Sequence, residues 1–229
     1  MSFIRTRSGI SNLHLFYGAE VVVFTEGGEQ SLSLSEVDEG SRNTKSVDVK
    51  FWRDVLRVNG FDVKSEFRPV GSKKTLKQLC ERVVSGEVDN VVVAMDRDMD
   101  GMLGRTFDSP RILYTKGYSW ENDAFSQDLT KSQIDAMMML VENPEEIEEG
   151  INKVYEDFKK IGRHLIVLEF VFRRKGVRFL SGFNGERFFN SKRSPFIDKV
   201  QVHSVLREKK NEIDRPVING SSSFHVDLA

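Results

Sequence analysis

The chain has 229 residues, enough for one full-sized domain or for one domain with a smaller region appended. Its 34 Lys and Arg residues nearly balance its 35 Asp and Glu residues, which excludes a protein that binds polyanions through net charge alone. The single cysteine, Cys80, excludes an intrachain disulfide and a cysteine metal cluster.

The first half of the chain alternates strand and helix patterns. Short apolar runs predict three strands, at residues 20–24, 90–95 and 111–114, and alternating apolar residues predict another at residues 61–70. Apolar residues at helical spacing predict helices between them, over residues 47–58 and 72–84. This alternation is typical of a parallel sheet covered by helices on both faces. Residues 29–46 are polar and Ser-rich without periodicity, and we interpret them as a loop insertion.

The second half changes character. Helical spacing extends over residues 130–172, residues 176–194 form a looser segment rich in Gly, Phe and basic residues, and a further helix is predicted over residues 196–210. We therefore predict an α/β fold: a mostly parallel sheet flanked by helices, followed by a mainly helical C-terminal region. The expected division is the sheet-containing domain over residues 1–128 and the helical region over residues 129–229.

The apolar segments of the chain indicate the cellular compartment in which we expect it. The most apolar run, residues 165–172, is too short for a membrane span and contains Glu169. Arg5 and Arg7 are not followed by an apolar stretch of the length that a secretory signal needs. We expect a cytoplasmic protein.

Acidic residues follow two of the predicted strands. Glu26 comes after the first strand, and Asp96, Asp98 and Asp100 come after the third. Ligands of open parallel sheets bind beyond the carboxyl ends of the strands. If the extended geometry persists, Asp96 and Asp98 point the same way, and clustered carboxylates favour Mg²⁺ or Mn²⁺. The alternative is an ordinary turn, because Asp favours turns after strands.

The chain resembles the TOPRIM family, which has Glu-Gly after its first strand and Asp-x-Asp after its third. The matching residues are Glu26-Gly27 and Asp96-Arg97-Asp98. Two further motifs resemble those of one TOPRIM-like subfamily: Tyr118-Ser119-Trp120-Glu121-Asn122 and Gly71-Ser72-Lys73-Lys74. The subfamily also has an Asp shortly after Glu-Gly, leading into a helix with Phe-Trp. Here Asp48 and Phe51-Trp52 supply this part, displaced by residues 29–46.

The resemblance implies a metal-dependent endonuclease that cleaves phosphodiester bonds. Asp96 and Asp98 would hold Mg²⁺ or Mn²⁺, and Glu26 would bind the metal or act as a general base. Asp100 and Glu121 are further metal candidates, although Glu121 equally suits the first turn of a helix. Lys73 and Lys74, at the start of a helix, would bind a phosphate, or they are ordinary exposed lysines.

Within the family, the chain resembles the TOPRIM effector subunits of PARIS anti-phage defence systems. This similarity implies a toxic nuclease, restrained by an ABC-type ATPase partner and released on infection, that cleaves tRNA. A homodimer is one further assembly that we consider. The alternatives are a DNA-directed TOPRIM nuclease and a non-catalytic docking or regulatory subunit.

Basic residues alternate with phenylalanines in the second half. Arg173 and Arg174 are the leading candidates for nucleic-acid contacts. The same segment contains other basic residues and phenylalanines: Phe170, Phe172, Lys175, Arg178, Phe179, Phe183, Arg187, Phe188 and Phe189. Such a mixture suits single-stranded or looped RNA, whose bases stack on aromatic rings. A small core with a charged rim explains the same pattern equally well.

Overall fold

The computed structural model describes residues 9–43, 46–138, 144–180, 188 and 197–214. The chain divides into two compact units, Met1–Ser126 and Gln127–Ala229. The predicted fold class is confirmed: the first unit is an α/β unit around a parallel sheet, and the second is helical. None of the described helices combines the length and the apolar character needed to cross a membrane.

The first unit is built on a four-stranded sheet. Its strands are β1 (Val21–Thr25), β2 (Ser65–Pro69), β3 (Val91–Met95) and β4 (Ile112–Tyr114). They are all parallel and lie in the order β2-β1-β3-β4, so β1 and β3 are the central pair. Every residue of β3 is buried, as expected for a strand covered on both faces. The carboxyl ends of β1 and β3 therefore meet at one edge of the sheet.

Helices cover both faces of the sheet. In its described residues, the first unit contains a 3₁₀ turn (Ile10–Asn12) followed by five α-helices: α1 (Leu13–Phe16), α2 (Leu34–Asp38), α3 (Val47–Val58), α4 (Lys73–Val84) and α5 (Trp120–Ala124). On one face, Trp52 of α3 packs with Val23 and Ala94. On the other face, Leu76 and Leu79 of α4 belong to the larger core. Because strand side chains alternate, β1 contributes to both cores.

The prediction of a loop insertion at residues 29–46 needs correction, because part of this segment forms the helix α2. Ser33 begins α2 with a capping box that it forms with Glu36. Leu32 and Val37 are buried in the core, and the Thr75 hydroxyl donates to the Leu32 carbonyl at 2.6 Å. A helix of five residues is too short to produce visible periodicity, so the pattern alone could not reveal it.

The second unit contains α6 (Gln127–Met137), α7 (Pro144–Arg174) and α8 (Lys199–Asp214). The helical prediction over residues 130–172 therefore covers two helices, and residues 139–143 between them lie outside the described part. The last helix begins and ends later than predicted. Phe179 and Phe188 are buried in a small core with Leu165, Phe172 and Val205.

Candidate active site

The turn after β1 brings two carboxylates together. Gly27 has a φ of +86°, and a Cβ placed on it would lie 2.2 Å from Asp48 Oδ2. Asp48 stands in the first turn of α3, whose N-cap is Ser46. Its side chain therefore packs directly against the Glu26-Gly27 turn. Although residues 29–46 separate Asp48 from Glu26-Gly27 in the sequence, the fold brings Asp48 next to that turn.

Asp96 connects this turn to the end of β3 and to α5. Its backbone N–H donates to Glu26 Oε2 at 3.2 Å. Its own Oδ1 accepts from the backbone N–H of Trp120 at 3.0 Å. Glu26 and Asp96 thus lie side by side where the two central strands end, and the Tyr-Ser-x-Glu-Asn motif meets them through its x residue, Trp120.

Burial and mutual repulsion shift the titration of these carboxyl groups. Burial, together with the nearby charge of Glu26, raises the pKa of Asp96 to about 7. Burial also raises the pKa of Glu26, although the charge of Lys73 opposes the shift. Asp48 has a raised pKa too, first through burial and then through the charge of Glu121. Burial and the mutual repulsion of these carboxylates therefore outweigh the nearby positive charge of Lys73.

Asp98 and Asp100 do not extend this group in the expected way. The strand ends at Met95, and Asp98 adopts a φ of +48°, so the alternation that would align its side chain with Asp96 is lost. The carboxylate of Asp98 pairs with Lys73. Asp100 is buried and pairs with Lys73 and Lys77, each at 3.1 Å. The extended geometry on which the common direction of Asp96 and Asp98 depended therefore does not persist.

The two predicted phosphate-binding lysines differ in position. Lys73 is half-buried, donates to the Asp96 carbonyl at 2.9 Å and contacts Asp98 and Asp100. Burial alone would lower its pKa, but its hydrogen bond to Asp98 and the surrounding carboxylates raise it, so Lys73 is a lasting positive charge beside the site. Lys74 is exposed, which agrees with the alternative that it is an ordinary surface lysine.

The donor set can be compared with the needs of a metal ion. Across the described ranges, no three His, Cys, Asp or Glu side chains form a group already arranged to hold an ion. In chemistry, however, the set fits a hard divalent cation. Glu26, Asp48 and Glu121 are oxygen donors whose charges all raise the pKa of Asp96, and a cation would relieve that repulsion. Glu26 and Asp96 are the best placed pair, because a hydrogen bond already joins their residues.

Sequence reasoning missed two contributors to this edge and left the role of a third, Asp48, open. Lys77 was not singled out, and Trp120 was only the variable position of a motif. The available indication for Trp120 was the Ser119 to Asn122 spacing, which forms a capping box that fixes the start of α5. Asp123 adds to this by accepting from the N–H groups of Lys116 and Gly117, both at 2.7 Å.

The predicted nucleic-acid contacts of the second unit also differ from each other. Arg173 pairs with Glu169, a carboxylate only 2% exposed. Glu169 also accepts from the backbone N–H groups of Phe179 at 2.9 Å and Leu180 at 2.6 Å. Arg173 therefore has a structural partner, whereas Arg174 is exposed and lies over the ring of Phe170. Phe183, Arg187 and Phe189 lie outside the described residues.

No protein-family model, curated protein or solved structure matches this chain. The function proposed below is supported by the geometry of the site and by the motif resemblance.

Gly27→Ala should destabilise the first unit by about 2–4 kcal/mol, because it combines left-handed backbone strain with a clash against Asp48. Gly18→Ala is the matched control, since Gly18 also has a positive φ but nothing within 4 Å of an added Cβ. It should cost only about 1 kcal/mol. Urea unfolding would compare them. Equal losses would show that Asp48 does not pack against this turn.

Arg173→Ala should destabilise the second unit by about 3 kcal/mol, because it leaves the buried Glu169 without its cation. Arg174→Ala, one residue further along the same helix, should change the free energy of unfolding by less than about 0.5 kcal/mol. Thermal melting of the two variants would measure the difference. Matching melting temperatures would mean that the Glu169 pair contributes little.

Proposed function

We propose that this chain is a Mg²⁺-dependent endonuclease of the TOPRIM type that hydrolyses phosphodiester bonds. The observation that carries the proposal is the pairing of Glu26 and Asp96 at the carboxyl ends of the two central parallel strands, with Asp48 packed against the same turn. Ligands of such sheets bind at this edge. The TOPRIM motifs identified in the sequence include both members of the pair.

Glu26 and Asp96 would hold the cation, and Asp48 and Glu121 would add negative charge around it. Asp98 would join them only by giving up its contact with Lys73. When bound, the cation would neutralise charge on the scissile phosphate and activate the attacking water. Glu26 has a raised pKa, which makes its carboxylate a better proton acceptor than an ordinary glutamate. Lys73 places a positive charge where phosphate oxygens would approach.

The motif resemblance supports the wider biological proposal. As in the PARIS effectors that the chain resembles, the nuclease would be a toxic component of an anti-phage system, held inactive by an ABC-type ATPase, with tRNA as its substrate. A DNA-directed nuclease would use the same residues. The assay should therefore present tRNA, single-stranded RNA and DNA, and duplex DNA to the purified chain.

Cleavage of end-labelled substrates would test the proposal. We expect cleavage with Mg²⁺ or Mn²⁺, loss of cleavage with EDTA and recovery when Mg²⁺ is restored. Equal cleavage in EDTA would contradict a metal-dependent mechanism. If none of the four substrates is cut by the chain, alone or with its ATPase partner, the nuclease proposal fails.

One observation favours a second candidate, a non-catalytic docking subunit. Lys73 contacts Asp96, Asp98 and Asp100, and it could serve as a permanent internal cation in place of a metal. In that case the edge would be a rigid structural element. Added Mg²⁺ would then leave the melting temperature unchanged, whereas the nuclease proposal expects it to rise.

The exposed basic surface of the second unit can be tested separately. Arg174→Ala in a catalytically inactive Glu26→Gln background should weaken nucleic-acid binding. The log–log slope of affinity against salt should fall by about one unit for a duplex, and by less for a single strand. Binding titrations at four salt concentrations would measure it. An unaltered slope would assign Arg174 to a solvated rim or a protein interface.

A further inference from the structure

A cluster of aromatic side chains lies directly beside the acidic edge. The ring of Trp120 packs against Phe51, with centroids 5.9 Å apart, and is 6.5 Å from the ring of Phe125. The ring of Phe125 is only partly covered, since this residue is 56% exposed. We call Phe51, Trp120 and Phe125 the aromatic platform. All three belong to the first unit.

The platform is tied to the acidic pair by the backbone. The backbone N–H of Trp120 donates to Asp96 Oδ1 at 3.0 Å. The residue that carries the indole ring is therefore in direct contact with the acidic pair. The capping box of Ser119 and Asn122 fixes this part of the backbone. On the other side, Phe51 lies one helical turn after Asp48 in α3. Trp120 and Phe51 are therefore each held close to a carboxylate of the acidic edge, Asp96 and Asp48 respectively.

We propose that the aromatic platform stacks an unpaired nucleobase next to the scissile phosphate, so that the enzyme acts on single-stranded or flipped-out nucleotides. This inference rests on the proposed nuclease function. Aromatic rings stack on any base, because every base has a π face, whereas bases inside a duplex already stack on each other. A phosphodiester held by the carboxylate edge would bring its neighbouring bases close to Trp120, because the N–H of this residue contacts Asp96.

The platform differs from the acidic edge in what it can recognise. The carboxylates and their cation bind phosphate oxygens, which single strands and duplexes share. A flat, partly exposed ring beside them adds binding energy only when a base is free to leave its helix, and unstacking a paired base costs a few kcal/mol. The platform would therefore set a preference for loops and single strands of RNA or DNA without reading the sequence.

Fluorescence is well suited to the test, because the chain contains only two tryptophans. Trp52, in α3, is 4% exposed and packs against the sheet, whereas Trp120 is more accessible. A base that stacks on Trp120 should quench its emission and leave that of Trp52 unchanged. The experiment would use the Glu26→Gln chain with 12-nucleotide single strands of RNA and DNA and with a blunt duplex as probes. Trp52→Phe should preserve the quenching.

Two substitutions separate stacking from packing. Trp120→Leu keeps an apolar side chain against Phe51 but removes the ring face, and Trp120→Phe keeps a ring. Trp120→Leu should weaken single-strand binding about tenfold, equal to about 1.4 kcal/mol, and leave duplex binding within about twofold. Trp120→Phe should restore most of the loss. Melting curves of both variants would check that the unit stays folded.

The outcomes distinguish the inference from the function beneath it. Equal single-strand affinity of the Trp120→Leu chain and its parent, with normal Mg²⁺-dependent cleavage by the wild type, would overturn the platform and leave the nuclease intact. An equal loss for single strand and duplex would also overturn the platform. If the parent binds none of the probes and the wild type cuts none of them, both proposals fail. Tighter binding of the RNA strand or of the DNA strand would show which of the two nucleic acids supplies the stacked base.

Discussion

Glu26→Gln should reduce metal-dependent cleavage by about 10³-fold or more, because it removes one of the two best-placed carboxylates at the ends of the central strands. Its amide oxygen can still accept from the N–H of Asp96, so the fold should be retained. Single-turnover cleavage and circular dichroism would measure the two effects.

Glu20→Gln is the matched control for this substitution. Glu20 lies at the opposite end of β1, where its exposed side chain accepts from the Lys64 N–H at 3.2 Å. It should cleave at the wild-type rate. Undiminished cleavage by the Glu26→Gln chain, or an equal decrease in both variants, would remove Glu26 from the proposed machinery.

Asp96→Asn should abolish cleavage and, without metal, make the protein more stable at pH 8. The pKa of Asp96 is raised from 3.8 to about 7, so the folded state binds this proton more tightly than the unfolded state does. Stability is therefore lost as pH rises from about 4 through 7, and the destabilisation is complete above pH 7. After discounting for solvent exposure, the gain in Asp96→Asn should be about 1–2 kcal/mol at pH 8.

Urea unfolding in EDTA at pH 4.5 and pH 8 would measure this pH dependence. The gain should be much smaller at pH 4.5, because the folded wild type is still protonated at this group there and only a small part of the loss of stability between the two pKa values has occurred. Asp89→Asn, at the other end of β3 with an 83% exposed side chain, is the control and should show no such dependence. A loss of stability in Asp96→Asn at pH 8 would contradict carboxylate repulsion at this edge.

The positions of Glu26 and Asp96 were predictable from the sequence. Each comes at the end of a short run rich in β-branched or other apolar residues, which is typical of a buried strand, and parallel strands bring such residues to one edge. The 12-residue helix α3 was equally predictable, because it is long enough to show its apolar face.

The direction of Asp98 was not predictable. It depends on a left-handed backbone at Asp98 and on Lys73, a partner far away in sequence. Likewise, nothing local in the sequence shows that Asp48 packs on Gly27 or that Arg173 pairs with a buried Glu169. Such contacts arise from tertiary packing, and α2 is too short to show a period. Sequence patterns therefore identified the strand ends, whereas the partners of each charge required the fold.

The most direct test of the account is calorimetric titration of the apo protein with Mn²⁺ at pH 7, in two buffers of different ionisation enthalpy. We predict saturable binding of about one ion per chain, competed by Mg²⁺ and accompanied by proton release, since the pKa of Asp96 is about 7. The Glu26→Gln/Asp96→Asn double variant should lose this binding, and the Glu20→Gln/Asp89→Asn double variant should keep it. Equal binding by both double variants, or no binding by the wild type, would contradict a metal site at the edge of the sheet.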